Sequence, residues 1–284
     1  FQAAYAHGPG GSMWLNCVRM RMSGVTVADA TSDQVGAGVL FGADGCLPEY
    51  EVVIRDSDFL GNITDDQGGA IANVQGVGAN ALKAIRISNV TFAENQADSG
   101  AAINIDGQRL VSITGSTFFE NETVSGGGAI ELCNTDLAVT SSTFERNDAG
   151  AEGGAILANC GSGNKISIVS SLFKENHTDA NYGAVSFGVY DTRLIGNDFI
   201  NNTATLSGGA VGITVNTGDS DLYTFGRWKN NSFGGNSAEV EGQHIVVFYD
   251  EGSLAPSTTD DLLRLLTRGR GSVLFPGADW MVQS

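Results

Sequence analysis

Residues 116–130 read STFFENETVSGGGAI, and the same phrase returns at 142–156 as STFERNDAGAEGGAI and at 171–185 as SLFKENHTDANYGAV. Each copy writes Phe-x-x-Asn and then, five residues further on, Gly-Gly-Ala-Ile or a decayed form of it. A phrase kept at near-fixed spacing marks a repeat architecture, and a repeat has to be recognised before any single element is assigned.

With the Phe as anchor, the series is Phe59, Phe92, Phe118, Phe144, Phe173, Phe199 and Phe233. The Asn three later is Asn62, Asn95, Asn121, Asn147, Asn176, Asn202 and Asn236. Nine residues after that Asn stands an aliphatic residue: Ile71, Ile130, Ile156, Val185, Val211 and Ile245, with Ile103 one residue early. The ruler extends backwards through Val27, Ala30 and Val39 and through Phe1, Ala4 and Met13, giving nine anchors. From each aliphatic residue to the next anchor, the gap varies between 14 and 22 residues. One segment of the unit is therefore rigid, and insertions enter at a single corner.

Ahead of each anchor, the positions at minus seven and minus five are mostly apolar: Val52 and Ile54, Ile85 and Ile87, Val111 and Ile113, Leu137 and Val139, Ile166 and Ile168. That is the period of two of a half-buried strand. A helix fails here, because no 3.6-residue period is present and glycine recurs in every unit. The anchor rings would then stack at about 4.8 Å, the Asn amides would bond up and down a column, and the Gly pair would turn the chain. The expectation is an all-β, right-handed parallel β-helix of about nine coils over residues 1–250; the hand is the usual one for parallel crossovers. Residues 251–284 form a C-terminal cap. There Pro256 to Asp261 leads into an apolar run, with Arg268 and Gly269 as a stop, so a short capping helix is expected at 257–268.

The Phe-x-x-Asn and Gly-Gly-Ala-Ile/Leu/Val pair resembles the repeat of the polymorphic outer-membrane proteins of chlamydiae and of similar surface proteins of microbes and algae. The resemblance covers residues 1 to about 245 and implies a β-helical region displayed outside the cell, often adhesive. No alternating strands of an outer-membrane barrel follow residue 245.

The composition narrows the function. Charged residues make up 17% of the 284, below the quarter that is usual, and the 42% apolar content suffices for a core. A net charge of −17 argues against nucleic acid, whose binding needs Lys and Arg on phosphates. No run reaches the ~18–20 apolar residues of a membrane helix.

The four cysteines fall on the elastic corner, in two pairs from adjacent coils, so Cys17–Cys46 and Cys133–Cys160 are the expected disulfides. Two disulfides imply an oxidising compartment, extracellular or at the cell surface. Of six Asn-x-Ser/Thr sequons, those at Asn62, Asn121 and Asn176 coincide with the Asn column. Asn201, followed by Asn89 and Asn230, is the glycosylation candidate if the source is eukaryotic. Basic residues at Arg21, Arg86, Arg193 and Arg227, with Arg55 and Lys229, project from one strand face. Acids crowd the fixed turn at Asp65, Asp66, Asp98, Asp148, Glu152, Asp179, Glu239 and Glu241. Solvated turns explain those acids without a cofactor, and a hard cation such as Ca2+ is the alternative.

The expected function is a non-catalytic binding or assembly scaffold, meeting a protein or glycan partner, or copies of itself, through the elastic corner. Tyr50, Tyr223 and Phe225 on its long loops are the candidate contacts. The alternative is a pectin-lyase-like enzyme acting on acidic polysaccharides. Asn134-Thr135-Asp136 resembles a piece of the polygalacturonase signature, but the paired Asp, the Gly-His-Gly and the Arg-x-Lys are missing. Nor do His7, His177 and His244 assemble a catalytic triad or a zinc spacing.

Overall fold

The computed structural model describes residues 5–6, 10–16, 19–42, 50–73, 82–160, 164–188, 191–215, 228–240, 245–249 and 280–283. Over these the chain is an all-β parallel solenoid of about six turns with three parallel sheets, and it contains no helix. The capping helix expected at 257–268 lies outside the described residues. Each turn contributes in order to a sheet A, a sheet B and a sheet C; the described strands pair into sheets of 13, 9 and 10.

Sheet A carries the apolar alternation. Glu51–Leu60 and Ala84–Ala93 pair over nine residues, with Phe59 opposite Phe92. In the next turn the same span divides into Leu110–Thr114 and Thr117–Phe119, both laid on Ala84–Ala93. The minus-seven and minus-five residues are buried throughout, from Val52 and Ile54 to Ile166 and Ile168. Sheet B is a pile of two-residue strands such as Glu122–Thr123, Asp148–Ala149 and His177–Thr178. Sheet C begins at the aliphatic residue of the repeat, where Ile71, Ile103 and Ile130 stand in register. The early arrival of Ile103 is thus absorbed before the strand starts.

The anchor rings form one stack inside the solenoid. Phe59, Phe92, Phe118, Phe144, Phe173, Phe199 and Phe233 have successive centroids 4.5–5.1 Å apart and planes within 12° of parallel. Beside it runs the Asn column. From Asn95 to Asn202, each Nδ2 donates one hydrogen to the Oδ1 of the next Asn, as from Asn121 to Asn147 at 2.8 Å, and the other to the Phe carbonyl of the turn before, as from Asn121 to Phe92 at 3.1 Å. Each Oδ1 from Asn95 onward also accepts the backbone N–H of the preceding Asn, as from Asn121 to Asn147 at 3.2 Å. Both donors of these amides are satisfied away from water, as a buried amide requires.

A second hydrogen-bonded column runs parallel to the Asn column. Two residues before the anchor, Ser116 N–H donates to Ser142 Oγ, Ser142 N–H to Ser171 Oγ and Ser171 N–H to Asn197 Oδ1. Asn197 then bonds Asn231 amide to amide at 3.0 Å.

Three left-handed corners turn each coil, where the repeat pointed to one. The first lies three residues before the anchor, with φ of 50–65° at Gly24, Asp56, Asn89, Gly115, Ser141, Ser170, Gly196 and Asn230. The second lies two after it, at Asp29, Gly61, Glu94, Glu120, Arg146, Glu175, Asn201 and Gly235. Only the third is the repeat's Gly pair, and its two glycines have different duties. The first takes positive φ, as at Gly127 and Gly153. The second admits a carbonyl of the neighbouring turn: a Cβ on Gly128 would lie 2.2 Å from Gly154 O, and one on Gly154 would lie 2.3 Å from Gly183 O.

One turn departs from that rule. Tyr182 occupies the first-Gly position at φ 67° and is 2% exposed. Its ring lies over Gly212, where an added Cβ would come within 1.8 Å of Tyr182 Cδ1. Other turns carry Leu40, Ala72 or Leu157 at that position. The pair is mutually fitted, so Gly212→Ala should destabilise by about 1–3 kcal/mol through overpacking. Tyr182→Gly on the same background should recover much of the loss. A denaturation midpoint unchanged in Gly212→Ala would show that the ring does not hold this place.

Candidate functional site

The end of sheet C and the start of sheet A meet at one corner of every turn, and that corner is where the repeat is elastic. Strands Val39–Gly42, Ile71–Asn73 and Val211–Val215 each end there. The long loops that follow, at 41–51, 73–81 and 214–226, have their interiors outside the described residues, and so do Tyr223 and Phe225. Their stems are firmly set. Asn73 is buried, donates from Nδ2 to Asp106 O at 2.8 Å and accepts Asp106 N–H on Oδ1 at 2.8 Å. Tyr50 is half-buried and packs against the core, with the Arg19 guanidinium 5.7 Å over its ring. It is a partly covered aromatic at the base of its loop.

The same corner carries the disulfide. Cys133 and Cys160 stand in register on adjacent strands of sheet C, with Cα atoms 5.0 Å apart, and are bonded. Cys17 and Cys46 lie outside the described residues, as do His7, His244, Arg227 and Glu241.

The basic residues stand where the repeat put them, on the outer face of sheet A: Arg21, Arg55, Arg86, Arg193 and Lys229 are all exposed. Arg86 and Lys83 both reach Glu51, at 3.4 and 3.5 Å, and hold its carboxyl below the usual range against the opposing effect of desolvation. Further along, Glu145 bonds Lys174 at 2.9 Å, and Arg146 lies 4.6 Å over the Phe119 ring. Exposed pairs of this sort contribute little stability; they set the charge pattern of the face.

Sheet B holds the acidic edge. Asp148 is a strand residue there, not a turn residue, and stands opposite His177. His177 Nδ1 is 2.7 Å from Thr203 Oγ1, and its Nε2 is 3.3 Å from Asp179. Partial desolvation pushes the Asp148 carboxyl up; Asp179 and Glu122 add to this and His177 opposes it. Among the described residues, no group of three or more His, Cys, Asp or Glu could hold a metal ion.

Sheet C holds a polar group the repeat did not announce. Glu131 follows the aliphatic residue, where other described turns carry no acid, and is half-buried. Asn104 Nδ2 donates to Ser99 Oγ at 3.0 Å and lies 3.5 Å from Glu131 Oε2. Burial raises the Glu131 carboxyl; the Ser99 hydrogen bond opposes this and Asp98 reinforces it. The signal available in the sequence was the lone acid in a column that holds Leu40, Ala72, Asn104, Leu157, Ser186 and Gly212 in other turns.

Residues 134–136 carry the chain from sheet C into the sheet A strand Asp136–Thr140. Asn134 is exposed at φ 49°, Thr135 Oγ1 donates to Cys133 O at 2.7 Å, and Asp136 Oδ1 accepts Lys165 N–H at 2.8 Å. Asp56, with its φ of 50°, accepts from Asn89 Nδ2 at 3.2 Å beside Arg55. The sequons divide as their register requires. Asn62, Asn121 and Asn176 are 0% exposed, whereas Asn89, Asn201 and Asn230 sit exposed on left-handed corners.

A scan against protein-family models, a search of curated proteins and a search of solved structures each find no match.

Proposed function

We propose that the chain is an extracellular or cell-surface β-helix domain acting as a non-catalytic binding or assembly scaffold, whose binding edge is the elastic corner. The observation that carries this is topological. All three long insertions leave the stack between sheet C and sheet A, while the chain between anchor and aliphatic residue keeps its length in nearly every turn. A rigid stack with variable loops on one edge is the usual arrangement for making contacts. The Cys133–Cys160 bond on the same edge supports an oxidising compartment.

In its finer form, the reading has nine right-handed coils, a count supported by the nine strands of sheet B, and a helix at 257–268 as cap. The partner is a protein or glycan at a cell surface, met through the loops that hold Tyr50, Tyr223 and Phe225. The resemblance to chlamydial and algal surface repeats points the same way. Shortening the three loops to the fourteen-residue gap found elsewhere in the repeat should leave the β-sheet circular dichroism signal unchanged. Adhesion of the labelled protein to whole cells, read by flow cytometry, should be lost. Adhesion that survives the trimming places the binding edge elsewhere, and release of reducing ends from polygalacturonate by the purified protein would overturn the non-catalytic reading.

A further inference from the structure

The interior of this solenoid writes N-glycosylation sequons where no glycan can fit. The ladder requires Asn three residues after each anchor, and the residue two further on points into the core of sheet B and must be small. Where that residue is Ala, as at Ala97, Ala149 and Ala204, nothing results; where it is Thr, the fold has produced Asn-x-Thr at Asn62, Asn121 and Asn176. The two kinds alternate in direct register: Ala97 lies opposite Thr123, Thr123 opposite Ala149, Ala149 opposite Thr178, and Thr178 opposite Ala204.

Each of these three amides uses both Nδ2 hydrogens inside the core. Asn62 donates to Val27 O at 3.2 Å and Asn95 Oδ1 at 2.8 Å. Asn121 donates to Phe92 O at 3.1 Å and Asn147 Oδ1 at 2.8 Å. Asn176 donates to Phe144 O at 3.0 Å and Asn202 Oδ1 at 2.8 Å. All three are 0% exposed. N-glycosylation forms a bond from Nδ2 to the anomeric carbon of an oligosaccharide carried on a lipid diphosphate; one Nδ2 proton is lost and the lipid diphosphate leaves. The amide that results has one hydrogen where the ladder needs two, and it carries a bulky polar group where the structure has no space. Because the transfer acts on the extended nascent chain, burial in the finished fold gives no protection.

We infer that Asn62, Asn121 and Asn176 are fold-blocking modification sites: the chain reaches its native solenoid only where these three escape N-glycosylation. The exposed sequons at Asn89, Asn201 and Asn230 accept a glycan without this penalty. An oxidising export route that lacks oligosaccharide transfer is therefore the compatible one, which is a narrower requirement than the presence of a disulfide.

The test uses the whole chain in a eukaryotic secretory host and in a bacterial periplasm. The variant Thr64→Ala/Thr123→Ala/Thr178→Ala abolishes the three buried sequons and leaves every ladder amide in place. Ala97, Ala149 and Ala204 show that the register accepts alanine. In the secretory host, glycopeptide mapping should find glycans on the three buried Asn only in retained, protease-sensitive protein. The triple variant, or the wild type with lipid-linked oligosaccharide synthesis inhibited, should be secreted in several-fold higher yield than untreated wild type, normalised to a sequon-free secreted control. In the periplasm, wild type and variant should fold alike. If the triple variant fails in the periplasm, the inhibitor arm decides: a raised wild-type yield upholds the inference and an unchanged one overturns it. Secreted, protease-resistant protein carrying a glycan on any of the three also overturns it, as does wild type that leaves them empty and is secreted as well as the variant.

Discussion

Asn147→Ala is expected to lower the unfolding free energy by about 3–5 kcal/mol, a large share of the ~5–15 kcal/mol a folded domain commands. The substitution removes one acceptor and two donated bonds at once. Asn121 loses the partner of its backbone N–H at 3.2 Å and of its Nδ2 at 2.8 Å. Phe118 O loses a donor at 3.1 Å and Asn176 Oδ1 one at 2.9 Å. Each buried polar group left without a partner costs about 1–3 kcal/mol, and water cannot reach a column that is 0% exposed. The position ahead of the first ladder amide supplies a contrast. Ala30 stands where the Asn would be and still donates its N–H to Asn62 Oδ1 at 3.2 Å. Alanine is thus tolerated beyond the last amide, where one bond is at stake, but not between two amides. Urea titration of Asn147→Ala beside wild type measures the difference; a loss below about 1 kcal/mol would mean that ladder bonds do no more than exposed ones. Because each turn contacts only its neighbours, the substitution should also broaden the transition by dividing the stack into two weakly coupled halves.

The ladder and the ring stack were legible in the sequence because their physics accepts one side chain. Only an amide both donates and accepts along a column at strand spacing, and Phe fills the interior at that spacing, so identity survives from Phe59 to Phe233. The other columns are constrained in the backbone, and the backbone accepts several side chains. The left-handed corner two past the anchor is filled by Asp29, Gly61, Glu94, Glu120, Arg146, Glu175, Asn201 and Gly235, five residue types in eight turns, so no single letter marks it. Left-handed φ costs a non-glycine residue roughly 1–2 kcal/mol, and the ladder bonds made by the very next residue offset it. The Ser column failed to register for a related reason. Its acceptor is Oγ in Ser57, Ser116, Ser142 and Ser171 but Oδ1 in Asn197 and Asn231, and Val90 interrupts it.

The limits of the repeat also set what could be read of the site. Strand Trp280–Gln283, paired parallel to Ile245–Tyr249, carries no anchor and continues sheet C past the point where the ruler ends. Glu131 has no counterpart in other turns, so only its surroundings reveal that its carboxyl is held up by burial. The elastic corner was found through gap lengths alone. Gap lengths locate an edge but are silent on which side chains it presents, so they could not show that Tyr50 packs against the core.

Phe144→Ala should cost as much as the ladder substitution, about 3–5 kcal/mol, but for a different reason. Phe144 lies between Phe118 at 4.5 Å and Phe173 at 4.7 Å, with planes within 2° of parallel, and is 0% exposed. In an ordinary core the neighbours of a truncated ring move in and recover part of the loss. Here they cannot close the gap, because the turns above and below are held in register by hydrogen bonds in all three sheets. The cavity should stay near its full size, so the cost should sit at the upper end of the range for such substitutions. Two aromatic contacts, each worth about 0.5–1.5 kcal/mol beyond their area, disappear with it. Phe144→Val makes the argument quantitative, since Val27 already occupies an anchor position, fully buried opposite Phe59. That variant should fall between alanine and wild type. Equal losses for Val and Ala would instead assign the cost to broken stacking, and a loss for Ala near 1 kcal/mol would show that the turns do collapse onto the gap.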